Sequence, residues 1–250
     1  MGKTTTAISL GSALVELNKR VLIIDIDPQE HVQVSFNSNN HEHMYGMDDV
    51  LLDKVPISKA IRKTAFKDLF YITSGKRIIL AEQYLPIHKK YYKTIKNCLQ
   101  ELTFFFDYVI IDCPPLLGAL TMNAIVAADL VIIPSLPDAY SMVAVGRTVN
   151  WITQIQKKYN PGLTYRILVT MFSKGVMTHT MMYEKLSDSL KDKLFQTVIF
   201  TNSKLRESQI AGIPIINYSP KAISSEQYRQ VAKEVLDHVQ SESEVRQADR

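Results

Sequence analysis

The sequence predicts an α/β fold with a doubly wound, mainly parallel sheet, and three observations lead there. The apolar runs are continuous rather than alternating, they take turns with helical patterns along the chain, and no internal repeat interrupts them. A continuously apolar strand needs cover on both faces, which helices on the two sides of a sheet provide. Strand and helix in alternation make right-handed crossover units, hence a doubly wound sheet. At 250 residues, 46% hydrophobic and 22% charged, the chain is long enough to bury one large core.

The first element is a helix. The chain opens MGKTTTAISL, where Gly-Lys-Thr runs into a helix whose Ala7, Leu10, Leu14 and Leu17 fall at helical spacing. RVLIID (20–25) is the first strand, and LFYITS (69–74), DYVIID (107–112), DLVIIP (129–134), YRILVTMF (165–172), FQTVIF (195–200) and IPII (213–216) read as the others. Val143, Val149, Ile152 and Ile155 mark a long helix, and Tyr228, Val231, Val235 and Val239 mark the last one. Residues 1–239 therefore form a single domain, and the polar residues 240–250 form a tail expected to fray.

Composition narrows the function only in part. A formal net charge of +4 permits contact with nucleic acid or an anionic surface without establishing it. Cys98 and Cys113 have neither C-x-x-C spacing nor a neighbouring histidine cluster, so they read as reduced core thiols of a cytoplasmic protein. No apolar run approaches the roughly twenty residues needed to cross a bilayer, and a soluble protein with no membrane partner is expected.

Chemistry is sought where strands stop, because ligands of doubly wound sheets sit beyond the carboxyl ends of the strands. VLIIDIDPQ places Asp25 at one strand tip and Asp27 just past it, and YVIIDCPP places Asp112 at another. A carboxylate at the end of a buried strand is costly unless donors or a cation meet it, so the pair suggests a shared cation; the bland alternative is that each caps the following turn. Magnesium with a nucleoside triphosphate suits the first reading, since it binds through few carboxylates and phosphate oxygens. Gly2, Lys3 and Thr4 supply the second half of a phosphate-binding loop: a glycine for the turn, a lysine for the outer phosphates, and a hydroxyl for magnesium at a helix amino end.

With these three motifs in that order, the chain resembles ParA-type partition ATPases, of the deviant Walker A group that also holds MinD and the nitrogenase iron protein. Leu120–Gly146 is similar to the family's stretch after the Walker B strand, and Thr197–Tyr228 to its adenine-side region and final helix. The resemblance implies a P-loop NTPase-like fold and the cofactors ATP and Mg2+. It implies that Gly2, Lys3, Thr4 and Thr5 bind nucleotide, that Asn202 contacts the adenine side, and that Thr4, Asp25 and Asp112 stand around the metal. Lys3 and Asp27 are the catalytic residues it implies, Asp27 orienting the attacking water. It further implies a weak, magnesium-dependent ATPase that works as an ATP-dependent homodimer, binds non-specific DNA on the nucleoid and answers to a ParB-like partner. Lys191 and Lys221 stand where relatives carry DNA-contacting residues, with Lys193, Arg206 and Arg229 nearby; a solvated surface charge is the plain alternative for each.

The chain departs from the family pattern at two places. The family reads roughly K-G-G-x-G-K-T-T after an apolar strand, and here the first lysine, two glycines and that strand are not in the sequence. The expectation is that Met1 occupies the x position, that the coding region begins upstream, and that the sheet lacks its amino-terminal central strand. After D-P-Q, Glu30 and His31 replace the Gly-Asn of relatives, and His31 reads as a solvated loop histidine. Two rival functions are a nucleotide-binding-deficient ParA-like scaffold and a MinD-like positioning ATPase. The first fits poorly with Lys3, Thr4, Asp25, Asp27 and Asp112 standing together. The second lacks the amphipathic basic end that would insert into a membrane.

Overall fold

The computed structural model describes residues 2–37 and 45–248; Met1, and with it the reading of that residue as an internal start, lies outside the described residues. The order is α1 (Lys3–Glu16), β1 (Val21–Asp25), α2 (His31–Val34), α3 (Met47–Leu52), β2 (Arg62–Lys63), β3 (Leu69–Ile72), α4 (Ile78–Tyr84), α5 (Thr94–Leu99) and β4 (Tyr108–Asp112). It continues with α6 (Ala119–Ala127), β5 (Leu130–Ser135), α7 (Ala139–Tyr159), β6 (Thr164–Val169), α8 (Met177–Leu190), α9 (Ser203–Ala211), α10 (Ile215–Tyr218) and α11 (Ile223–Ala248).

The strand pairing is mainly parallel, as the apolar runs require. β1 pairs in parallel with β3 on one side and β4 on the other, and β2 adds an antiparallel edge beside β3. β5 and β6 form a separate parallel pair, so the ladder is divided into β2-β3-β1-β4 and β5-β6. Side chains carry the packing across this division: Ile110 of β4 and Leu130 and Ile132 of β5 pack on the same cluster as Leu10 and Leu14 of α1 and Tyr228 and Val231 of α11.

Burial on both faces explains the unbroken VLII run. Val21 and Ile23 point into the cluster shared with α1 and α11, whereas Leu22 and Ile24 point into one built with Met47, Val50, Ile78 and Leu120. Alternate residues of one strand thus serve two cores, which is the requirement of a sheet covered on both sides. A third cluster joins Ile152 and Ile155 of α7 to Ile167 and Val169 of β6.

Three expectations are corrected. FQTVIF forms no strand: it meets the sheet through scattered bonds, Phe195 N–H to the Ile167 carbonyl at 3.0 Å and Ile199 N–H to the Val169 carbonyl at 2.9 Å, and through an isolated bridge from Phe200 to Phe172. Two of its backbone N–H groups, at Gln196 and Thr197, donate instead to the Glu234 carboxylate of α11, at 2.8 and 2.9 Å. IPII enters helix α10, with Ile215 and Ile216 buried in the first cluster, because a short apolar run fits either structure until its neighbours decide. The polar end does not fray at Val239; α11 runs on to Ala248, through residues with no glycine or proline to stop it. Cys98 and Cys113 are free and half-buried, and no described helix is long and apolar enough to cross a membrane.

Apolar packing holds α1 in place, and Leu14 is its anchor at 1% exposed. Leu14→Ala should cost about 2–5 kcal/mol of stability. Urea unfolding checks this, with the midpoint falling at an unchanged slope.

Candidate functional site

The amino end of α1 is built to receive an anion. Gly2 turns into the helix at φ 76° and ψ 25°, the left-handed region where a Cβ is costly. Thr6 N–H bonds the Gly2 carbonyl at 2.8 Å, which leaves the N–H groups of Lys3, Thr4 and Thr5 ahead of the first helical bond. No acidic residue lies in the first turn and no side chain caps it, so the partial positive charge of the helix end is not neutralised from within.

Strand register brings the carboxylates to the same level. β1 and β4 pair so that Asp25 is opposite Asp112. The Thr4 hydroxyl donates to Asp112 Oδ2 at 2.6 Å, tying the helix to the second strand tip across 108 residues of sequence. Asp25 accepts the N–H of Asp27 on Oδ1 at 2.8 Å and that of Val32 on Oδ2 at 3.1 Å, while Asp27 Oδ1 accepts Gln29 N–H at 3.0 Å. Asp25 and Asp27 therefore cap turns, and the lone pairs left on each oxygen can still meet a cation.

These carboxylates are buried, Asp25 at 0%, Asp112 at 3% and Asp27 at 7% exposed, and among the described residues none makes an ion pair. Burial pushes the Asp25 carboxyl up to about 7, against the pull of the Asp27 N–H, and the negative charge of Asp112 adds to the rise. Burial likewise pushes Asp112 up to about 6, against the Thr4 hydroxyl and the charge of Lys3. A cation placed among them would relieve both. Among the described residues no three Asp, Glu, His or Cys side chains converge as a ready-made cage. Magnesium is held through one or two carboxylates and completed by phosphate oxygens and water. Thr4, Asp112 and Asp25 are the residues that fit it.

The remaining sequence candidates fall in different places. Lys3 is the first residue of α1, and its charge reaches Asp112. Asn202 caps α9, its Oδ1 accepting Lys204 N–H at 2.8 Å, and among the described residues its side-chain N–H groups have no acceptor. His31 opens α2 and is exposed, as a solvated histidine would be. Lys191 and Lys221 are exposed and, among the described residues, in no ion pair. Arg206 is exposed, whereas Lys193 lies over the Tyr165 ring at 5.4 Å. Arg229 is bound to Glu16 at 2.6 and 3.1 Å and to the Pro220 carbonyl, which removes it from the open cations.

Two features had no sequence signal. The Val32 N–H reaches back to Asp25, and Gln209 Nε2 donates to Thr5 Oγ1 at 2.6 Å from 204 residues away.

Residues 1–165 match the family model described as an AAA domain. The chain is 33% identical over 237 residues to the sporulation initiation inhibitor protein Soj of Bacillus subtilis, covering 94% of this chain and 93% of Soj. It is 30% identical over 237 residues to the chromosome partitioning protein ParA of Myxococcus xanthus, covering 94% and 84%. Among solved structures, cobyrinic acid a,c-diamide synthase from Mycobacterium smegmatis with bound ATP analogue and magnesium superposes with a TM-score of 0.83 at 28% identity, covering 96% and 91%.

The buried carboxylates set a pH dependence. Asp25 and Asp112 hold protons more tightly folded than unfolded, so their contribution to stability is greatest near pH 4 and is lost as pH rises through about 6 to 7. Without metal, the Tm should fall between about pH 4 and about pH 7, and Asp25→Asn should flatten that fall. Scanning fluorimetry in chelator across this range measures it; equal slopes for parent and variant would contradict the assignment.

Proposed function

We propose, from the premise that the chain belongs to the ParA-type ATPase family, that it is a magnesium-dependent ATP switch for partitioning DNA. ATP would close a homodimer, the dimer would bind DNA without sequence preference, and slow hydrolysis stimulated by a ParB-like partner would reset it. The coarser identity, a partitioning or positioning ATPase, rests on the family itself. The observation that carries the finer reading is the 2.6 Å bond from Thr4 to Asp112 at the open end of α1, beside Asp25. It joins half of a phosphate loop to a pair of buried carboxylates that no cationic side chain pairs with among the described residues.

The roles follow from the chemistry of phosphoryl transfer, where positioning and charge neutralisation dominate. Lys3 and the N–H groups of Lys3, Thr4 and Thr5 hold the phosphates. Thr4 and Asp112, with Asp25 behind them, hold the metal, which when bound supplies positive charge to the phosphate oxygens. Asp27 orients the attacking water. Asn202, at the start of α9, is assigned to the adenine side through its side-chain N–H groups, which have no acceptor among the described residues. The magnesium and ATP analogue in the cobyrinic acid a,c-diamide synthase structure support the choice of ligand. Exposed Lys191 and Lys221 support the DNA reading and a nucleoid-associated, cytoplasmic location.

Two experiments test it. Calorimetry should find that Lys3→Ala weakens magnesium-ATP binding by about tenfold or more, whereas Asp27→Ala keeps binding and lowers phosphate release by about a hundredfold. A parent chain that binds no nucleotide would favour the scaffold reading. In a DNA-retention assay, Lys191→Glu with Lys221→Glu should abolish ATP-dependent binding at unchanged basal ATPase; retention equal to the parent would remove those residues from the DNA face.

A further inference from the structure

We propose that Gln209 is a nucleotide-positioning residue: its side-chain amide holds the Thr5 hydroxyl as a hydrogen-bond donor toward bound phosphate, and thereby makes α9 part of the phosphate site. The inference rests on the reading that the amino end of α1 takes the phosphates.

Three successive threonines begin α1, and each has a different partner. Thr4 spends its proton on Asp112 Oδ2 at 2.6 Å. Thr6 meets the Tyr228 hydroxyl at 3.3 Å in a buried contact. Thr5 meets Gln209 Nε2 at 2.6 Å, and an amide N–H2 group only donates. Thr5 Oγ1 is therefore the acceptor, and its own proton stays available; among the described residues no acceptor takes it. A hydroxyl held in that polarity beside the open N–H groups of Lys3 and Thr4 adds one more donor for an anion.

The helix that carries Gln209 is fixed at both ends. Asn202 caps its start, and Gly212 ends it at φ 64° and ψ 34°. A Cβ on Gly212 would lie 2.7 Å from Asn37 Cβ, so the end of α9 rests on the segment that follows α2. Within one turn, α9 thus touches both the phosphate-loop helix and the stretch downstream of Asp27. The Ser12 hydroxyl, donating to Asn217 Oδ1 at 2.8 Å, ties the next helix, α10, to α1 as well. Phosphate that engages Thr5 is in this way sensed by α9, whose carboxyl end rests on the segment that follows α2.

Gln209 is exposed, so its replacement leaves the core intact. The test is calorimetry of magnesium-ATP binding to the full chain carrying Gln209→Ala, Gln209→Glu, Thr5→Ala and the Thr5→Ala, Gln209→Ala pair. Gln209→Ala should weaken binding about 3- to 10-fold, the worth of one net hydrogen bond. Gln209→Glu should weaken it further, because a carboxylate would take the Thr5 proton and add negative charge beside the phosphates. On the Thr5→Ala background, Gln209→Ala should have no further effect, and the ligand-free Tm of Gln209→Ala should stay within about 2 °C of the parent. Gln209 variants within twofold of the parent, additive losses in the pair, or a silent Thr5→Ala would overturn the inference while leaving the ATPase reading in place. A parent chain that binds no nucleotide would overturn both.

Discussion

The structure depends on keeping two ionisable carboxylates at the tips of adjacent buried strands. The β1–β4 register sets Asp25 opposite Asp112 in an interior where neither has an ion-pair partner among the described residues. Such burial is expensive, and the protein offsets part of it with neutral donors: two backbone N–H groups at Asp25 and the Thr4 hydroxyl at Asp112. The offset is incomplete, which is why both groups hold protons up to about 7 and about 6. A cation placed there would supply the charge that the fold withholds.

That arrangement works only if α1 is held in place, and its support comes from the far end of the chain. Ala7, Leu10 and Leu14 pack on Tyr228, Val231 and Val235 of α11, and the Thr6 and Tyr228 hydroxyls meet within this buried contact. The Glu16–Arg229 ion pair lies nearer the surface, at 41% and 26% side-chain exposure, where such a pair is worth no more than about 1 kcal/mol. Apolar packing, then, positions the amino end of α1, and surface charge adds little to it.

Another buried carboxylate orders the loop after β3. Asp48 accepts the N–H groups of Asp49 and Arg77, both at 2.9 Å, and burial raises its pKa above the usual carboxylate range. Gly75 turns beside it at φ 86°, where a Cβ would lie 1.8 Å from Asp48 Oδ1, so only glycine fits. The Gly75 N–H donates to Glu30 at 3.2 Å, which connects this loop to the segment after Asp27. Glu30, one of the residues at which the chain departs from the family pattern, thus has a structural task that its neighbour His31, exposed at the start of α2, does not share.

What the sequence by itself determined is what local pattern encodes. Helical spacing from Ala7 to Leu17 marked α1, unbroken VLIID and YVIID runs marked strands covered on both faces, and the residues that ended those runs, Asp25 and Asp112, together with Gly2, Lys3 and Thr4, marked the candidate site. Tertiary structure decided the rest, because the deciding partner in each case lies far along the chain. FQTVIF has the composition of a strand but gives two of its N–H groups to Glu234. The last two residues of IPII open a helix under the core cluster of α1. The division of the ladder between β4 and β5, and the bond from Gln209 to Thr5 across 204 residues, depend on which surfaces meet once the chain has folded. Periodicity reports which face of an element is buried; it holds no record of what covers that face.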